Sequence, residues 1–245
     1  MLNGLRRLIP ASMRQALADA KAPRIHARAS FSQEGEDLLL MRLFEDTAAG
    51  IYVDVGAHHP FRFSNTCLLH QRGWRGINID ARPGSMRLFR RYRPDDVNLE
   101  IGISEEPTSL EFFVFAEPAL NTFDQNLASD RQKEGWVLTQ RTTVACMTLS
   151  QVLEQHLPRL GTNSVDLLTV DAEGLDLAVM RSNDWRRFRP RAIVVEILES
   201  DLDQVTCSPT GRFLGNVGYV PTAKLYNSVV FLPSPQSGRA IAIQQ

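Results

Sequence analysis

The sequence predicts an α/β protein built on an open, mostly parallel sheet, with helices on both faces and an antiparallel hairpin at the end. Three observations carry that expectation. A run of β-formers, Ile51–Val55, contains Asp54 and leads through Gly56 into a helical stretch. About twenty residues on, the run 76–79 again ends in an aspartate, Asp80, at the interval of one β-α-β unit. Near the other end, the strand-like runs 219–225 and 228–232 are separated only by Tyr226 and Asn227, a hairpin spacing.

The elements follow in order. Ordered structure is expected from Phe31, with Ser32 capping a helix whose first turn carries Glu34, Glu36 and Asp37, where negative charge suits the helix dipole. Strand Ile51–Val55 comes next, then a helix capped by Ser64 that runs through Cys67, Leu68 and Leu69 to Gly73. After strand 76–79, Pro83 is tolerated as the first residue of a basic helix that Pro94 closes. Residues 97–103 read as one strand, and 110–115 and 141–146 as two more. The polar stretch 116–140 between those two reads as a long irregular connection, a type usually functional or mobile.

Thr148 and Gln151 are spaced as a capping box, opening a helix with Leu149, Val152, Leu153 and Leu157 on one face. Residues 165–170 form a strand ending in Asp171-Ala-Glu-Gly174, and a helix follows over 175–181. Strand 192–197 carries Glu196 near its tip, and a last helix is weakly marked at 210–217.

Composition narrows the class. The chain has 245 residues, 43% hydrophobic and 22% charged, with a net charge of -1, so no global field attracts nucleic acid. Cys67, Cys146 and Cys207 lie far apart without C-x-x-C spacing, which argues against a zinc site or disulfide framework and for a reducing cytoplasm. No apolar run approaches the ~20 residues that span a bilayer. Before Phe31 the chain carries Arg6, Arg7, Arg14, Lys21, Arg24 and Arg28 against Asp19, and it lacks the apolar core of a secretory signal. Residues 1–30 are therefore expected to be a basic extension, 31–233 the functional domain and 234–245 a tail.

Ligands on open parallel sheets bind outside the carboxyl ends of the strands. That rule gathers Asp54, Asp80, Ser104, Asp171 and Glu196 around one crevice. A dinucleotide would need a glycine-rich turn against its pyrophosphate, but the first loop, Gly56-Ala-His-His-Pro60, has one glycine and bulky neighbours. An NAD(P)-dependent oxidoreductase or epimerase is thus the weaker reading, and a non-catalytic scaffold is the other alternative. S-adenosylmethionine has no phosphate. Asp80 suits its ribose hydroxyls, since one carboxylate accepts from both, and Asp54 with Gly56 suits its methionyl end.

Six runs carry a family resemblance: Phe31-Ser-Gln-Glu-Gly-Glu-Asp37, Asp54-Val-Gly-Ala-His-His-Pro60, Ser64-Asn-Thr66, Gly73-Trp-Arg-Gly-Ile-Asn-Ile-Asp80, Pro118-Ala-Leu-Asn-Thr-Phe123 and Val170-Asp-Ala-Glu-Gly174. In order and spacing, over residues 31–232, they resemble the FkbM family of S-adenosylmethionine-dependent methyltransferases. The resemblance implies a Rossmann-like seven-stranded methyltransferase fold with an antiparallel final strand. It also implies methyl transfer to a hydroxyl of a sugar, glycan or secondary metabolite. Asp54, Gly56 and Asp80 carry over as cofactor residues. Ala57, Ala81, Ser104 and Asp171 stand beside them at the strand ends as further cofactor candidates. Asp171 and Glu173 carry over as the acidic motif expected at the acceptor.

An alcohol must lose its proton on methylation, so a general base is sought among Asp171, Glu173 and His59. Each also has a plainer role open to it: loop support for His58 and His59, a helix N-cap for Asp171, a dipole partner for Glu173 and an ordinary strand end for Glu196. Asp171 and Glu173 would suit magnesium, but no metal is predicted. Asn121, Phe123 and Trp136 are the expected substrate cover, with simple packing as the alternative for the two aromatics. The absence of an Asp/Asn-Pro-Pro-Tyr run favours an oxygen acceptor over an amino group.

Overall fold

The computed structural model describes residues 10, 12, 13, 27–198 and 201–235. The chain divides into two compact units, Met1–Ser30 and Phe31–Gln245. The expected basic extension and C-terminal tail fall mostly outside the described residues. Among the described residues no helix is long and apolar enough to cross a membrane.

The first half of the second unit comprises α1 (Glu36–Leu43), β1 (Ile51–Val55), α2 (Cys67–Gln71), β2 (Arg75–Ile79), α3 (Met86–Tyr92), β3 (Val97–Leu99), β4 (Gly102–Ile103), β5 (Thr108–Phe115) and α4 (Gln125–Lys133). There follow β6 (Leu138–Met147), α5 (Leu149–His156), β7 (Leu167–Val170), α6 (Asp176–Arg181), β8 (Ala192–Glu196), α7 (Leu202–Cys207), α8 (Pro209–Asn216), β9 (Tyr219–Lys224) and β10 (Ser228–Pro233).

Seven strands form one sheet in the order β3-β2-β1-β7-β8-β10-β9. The first five run parallel, and β10 is antiparallel to both its neighbours. This is the Rossmann-like seven-stranded methyltransferase arrangement. Alternate residues of each strand serve opposite faces. Tyr52, Leu167 and Val194 pack with Leu40 and Phe44 on one side. Val53, Leu168 and Val195 pack with Leu149, Val152 and Val179 on the other. Each such aliphatic side chain contributes ~1.5–3 kcal/mol by leaving water, so the strand ends are anchored by a double-sided core.

Several expectations change in detail. Residues 97–103 are not one strand: β3 pairs with β2, and after Glu100 and Ile101 the chain joins a separate sheet of order β4-β6-β5. The handover is tight. A side chain at Gly102 would lie 2.7 Å from the Phe123 ring, so glycine lets this crossing close. The supposed irregular stretch 116–140 contains α4, whose N-terminus Asp124 caps by accepting from the backbone N–H of Asn126 (2.7 Å) and Leu127 (3.2 Å). Gly35, not Ser32, is the cap residue of α1. Ser64 does not cap α2, Pro83 lies in the turn before α3, and α7 had no sequence signal recognised above. The Thr148–Gln151 capping box forms as expected.

Candidate active site

A cavity of about 250 Å³ opens at the carboxyl ends of the parallel strands. Its polar wall includes Gln33, His58, Asp80, Asp171, Glu173 and Glu196, and among the described residues no lysine or arginine lines it. Ile101, Ile103, Phe112 and Leu120 belong to its apolar wall.

The lip over β1 is set by backbone constraint. Gly56 has φ +82°, and a Cβ there would run into the backbone carbonyl of Asp171. Glycine therefore lets the ends of β1 and β7 approach closely. His58 and Phe63 also adopt left-handed φ values, 52° and 55°, which cost non-glycine residues ~1–3 kcal/mol each unless the surroundings impose them. Arg93, 1% exposed, supplies that imposition. It donates to the carbonyl of Pro60 (2.7 Å) and the hydroxyls of Ser64 (3.0 Å) and Thr66 (2.8 Å). Thr66 in turn donates to Asp54 at 2.7 Å.

Asp54 is therefore a component of the support beneath this loop and does not line the cavity. Burial pushes its pKa up to about 6, against the pull of the Thr66 hydroxyl and the Arg93 guanidinium. Asp80 does line the cavity. One of its oxygens accepts from the N–H of His58 (2.9 Å) and the other from that of Arg82 (2.8 Å). Burial raises its pKa, while these same N–H groups and Arg82 oppose the rise.

Across the cavity, Asp171 follows β7 and Glu196 ends β8. The register pairs Val170 with Val195, so its next step sets Asp171 beside Glu196. Asp171 is solvent-exposed as a residue, and its carboxyl group is set among dense protein atoms at the cavity wall. Burial, then the neighbouring Glu196 charge, drive its pKa well above the usual carboxylate range. Glu196 is pushed up to about 7 by burial, with Glu173 and Asp176 adding to the effect.

Glu173 sits at φ 47°, its carboxylate paired with Arg131 of α4. Its backbone carbonyl accepts from Thr122 at 2.7 Å, and Arg131 also donates to the carbonyl of Leu120 at 2.6 Å. These contacts fasten the segment carrying Leu120, Asn121 and Phe123 over the cavity. Burial raises the pKa of Glu173, and Arg131 opposes that rise.

Of the residues singled out from sequence, the cavity wall gathers Gly56, Asp80, Ala81, Asn121, Phe123, Asp171 and Glu173. Ala57 is buried behind it against Met86 and Phe89. Ser104 points away, donating to the carbonyl of Glu106 at 2.6 Å. Trp136 is 47% exposed and outside the lining. His59 is likewise outside, its Nδ1 accepting from the N–H of Phe61 (3.1 Å) and Arg62 (3.0 Å).

The left-handed turn at His58 gives that residue the cavity position instead. Burial, with Arg62 and Arg82, lowers the His58 pKa to about 4, so it is neutral near pH 7. Glu196 and Arg131 received too little weight from sequence. The first was visible as a strand-end carboxylate, whereas the second carried no local signal. Among the described residues no three His, Cys, Asp or Glu side chains gather as a metal-holding group.

The sheet order and the acidic cavity at the strand ends define a methyltransferase-type α/β protein. The sequence matches the methyltransferase FkbM domain over residues 54–220, and the chain belongs to that family. It is a methyltransferase. No curated protein matches the sequence. Among solved structures, a Klebsiella pneumoniae protein described provisionally as an O-methyltransferase is 13% identical, with 94% of each chain covered and a TM-score of 0.39.

Proposed function

We propose that this methyltransferase takes its methyl group from S-adenosylmethionine and delivers it to a hydroxyl of a sugar or secondary metabolite. The carrying observation is a cavity with four carboxylates in its wall and, among the described residues, no lysine or arginine. Such a wall suits a ligand bearing a sulfonium and an ammonium. It would repel a pyrophosphate, and neutral His58 offers that anion no compensating charge.

The residues fit the cofactor in kind. Asp80 has each oxygen fixed by one backbone N–H, which sets the carboxylate plane and leaves lone pairs for a ribose diol. Gly56 and Ala81 flank it with little bulk, and Ile101 and Ile103 offer apolar surface to a flat base. Asp171 stands across the cavity, where a carboxyl oxygen can accept from the ammonium of the cationic end. Asn121 and Phe123 cover the acceptor side.

S-adenosylmethionine, when bound, supplies a methyl carbon already activated by a positively charged sulfur. The protein's share is alignment and removal of the acceptor's proton. Exclusion of water falls to the Leu120–Phe123 cover that Arg131 and Glu173 fasten. Outside, Phe61, Phe63 and Tyr92 are 36%, 40% and 45% exposed, and Phe63 also lines the cavity. These rings give the acceptor's non-reacting part an apolar shelf.

Calorimetric titration of S-adenosylmethionine, S-adenosylhomocysteine and NAD into the purified chain tests this reading. Micromolar affinity for the first two and none for NAD is expected. Binding of NAD alone would reject the proposal.

A further inference from the structure

Five carboxylates stand at the ends of the central strands or just beyond them, and the protein treats them differently. Asp54 accepts from a hydroxyl, Asp80 from two backbone N–H groups and Glu173 from a guanidinium. Among the described residues no donor reaches the side chain of Asp171 or Glu196. Both line the cavity, each directly follows a residue of the last β7–β8 pair, Val170 and Val195, and the Glu196 charge acts on Asp171. Two carboxylates without donors that face one cavity repel each other when both are charged, which makes the pair useful as a proton store.

On the methyl-transfer reading above, the geometry assigns Glu196 as the base that takes the acceptor's hydroxyl proton, and Asp171 as its protonated partner. The acceptor's O–H bond breaks and its proton passes to a Glu196 oxygen. The acceptor oxygen forms the new bond to the methyl carbon, and the electron pair of the bond that breaks stays with sulfur, leaving it uncharged. Asp171 keeps its own proton throughout and donates a hydrogen bond, orienting the acceptor oxygen or the Glu196 carboxylate.

The charges facing the pair support this division. Glu173 and Asp176 approach from the turn into α6, Asp54 from β1 and Glu34 from the segment before α1; Arg131 of α4 supplies opposing positive charge. Burial and these acids bring Glu196 to about 7, and its charge, once formed, helps hold the proton on Asp171. The two therefore titrate as a unit, with Glu196 ionising first. Glu173 drops out as base because Arg131 occupies its carboxylate, and His59 because it lies outside the cavity.

The test has an arm that needs no acceptor. Infrared titration of the full chain, alone and with S-adenosylhomocysteine, follows the protonated-carboxyl band in wild type, Glu196→Gln and Asp171→Asn. The last cavity proton should leave at a lower pH in Glu196→Gln than in wild type, since Asp171 has lost its charged neighbour. An unchanged Asp171 titration overturns the pairing.

The second arm follows transfer of labelled methyl from S-adenosylmethionine to a panel of methyl glycosides and phenols. Turnover should fall ~10²–10⁴-fold in Glu196→Gln, with S-adenosylhomocysteine affinity within about threefold of wild type. Glu196→Asp should recover part of the loss. Asp171→Asn, which keeps a donor, should lose less. Wild-type turnover should decline below about pH 7 as Glu196 takes up its proton. Near-wild-type turnover in Glu196→Gln overturns the assignment. Failure of wild type to bind S-adenosylhomocysteine would instead reject the cofactor reading, leaving the titration arm to judge the pair.

Discussion

The two halves of the sheet's carboxyl rim present the same kind of residue with and without hydrogen-bond donors. On the β1–β2 side, Asp54 and Asp80 are met by donors from their own loops, and Arg93 braces that region by reaching Pro60, Ser64 and Thr66. On the β7–β8 side, Asp171 and Glu196 face the cavity with no donor among the described residues. Position at a strand end therefore does not determine a carboxylate's chemistry. Donor supply does: burial raises the pKa on both sides, but donors oppose that rise and fix Asp54 and Asp80 in place, which suits binding. Asp171 and Glu196 instead have neighbouring acids that add to it, which suits proton transfer.

The comparison can be broken most severely at Arg93. Replacing it by alanine removes the charge and donors around which Asp54, Tyr52, Asn78 and Thr66 are arranged. Loss of one partner in such a buried group costs ~3–5 kcal/mol. Urea unfolding should show that loss, together with a weaker hold on S-adenosylhomocysteine from the loosened loop. Gly56→Ala comes next. Its Cβ meets the Asp171 carbonyl in a left-handed conformation, and a loss of about 2 kcal/mol or more is expected by the same measurement.

On the other side of the rim, charge removal should stabilise. Burial favours the protonated form of Glu196, lifting its pKa from an ordinary 4.5 to about 7. That contribution is complete below the unfolded value and is lost as pH rises through 7, beyond which the ionised group is a liability to the fold. Glu196→Gln should thus match wild type in thermal unfolding near pH 4 and exceed it at pH 8 by roughly 1–3 kcal/mol, after allowance for partial solvent contact. At this chain length that is several degrees in Tm. A lower Tm at pH 8 would show that Glu196 has a stabilising partner. The smallest effect belongs to Trp136→Ala, an exposed residue outside the cavity, with stability within ~0.5 kcal/mol and S-adenosylhomocysteine affinity unchanged.

Much of this was legible locally. β1 and β2 fall within one residue of their expected spans, because short β-forming runs flanked by glycine leave few alternatives. The Thr148–Gln151 box and the Tyr226–Asn227 turn are likewise local codes. Asp80 reached the cavity as expected because the residue just past a strand's end has little choice of place.

What stayed illegible depended on partners distant in sequence. Arg93 closes a run with Arg87, Arg90 and Arg91, and nothing in the run marks it as the buried one. Asp54 looks equivalent to Asp80 until Thr66 turns it inward. Helix α4 escaped notice because it has no apolar stripe, being held by its Asp124 cap and by Arg131. Glu196 was visible as a strand-end acid, but the absence of a donor beside it cannot be read from one sequence.

The most direct test compares the two sides in one experiment. S-adenosylhomocysteine is titrated calorimetrically into folded Asp80→Ala and Glu196→Gln. Hydrogen bonds to a charged group contribute ~1.5–3 kcal/mol each, so loss of the two ribose contacts in Asp80→Ala should weaken binding by ~100-fold or more. Glu196→Gln should remain within about threefold of wild type. An unaffected Asp80→Ala, or a Glu196→Gln as weak as Asp80→Ala is expected to be, would contradict the division of the rim into a binding side and a reacting side.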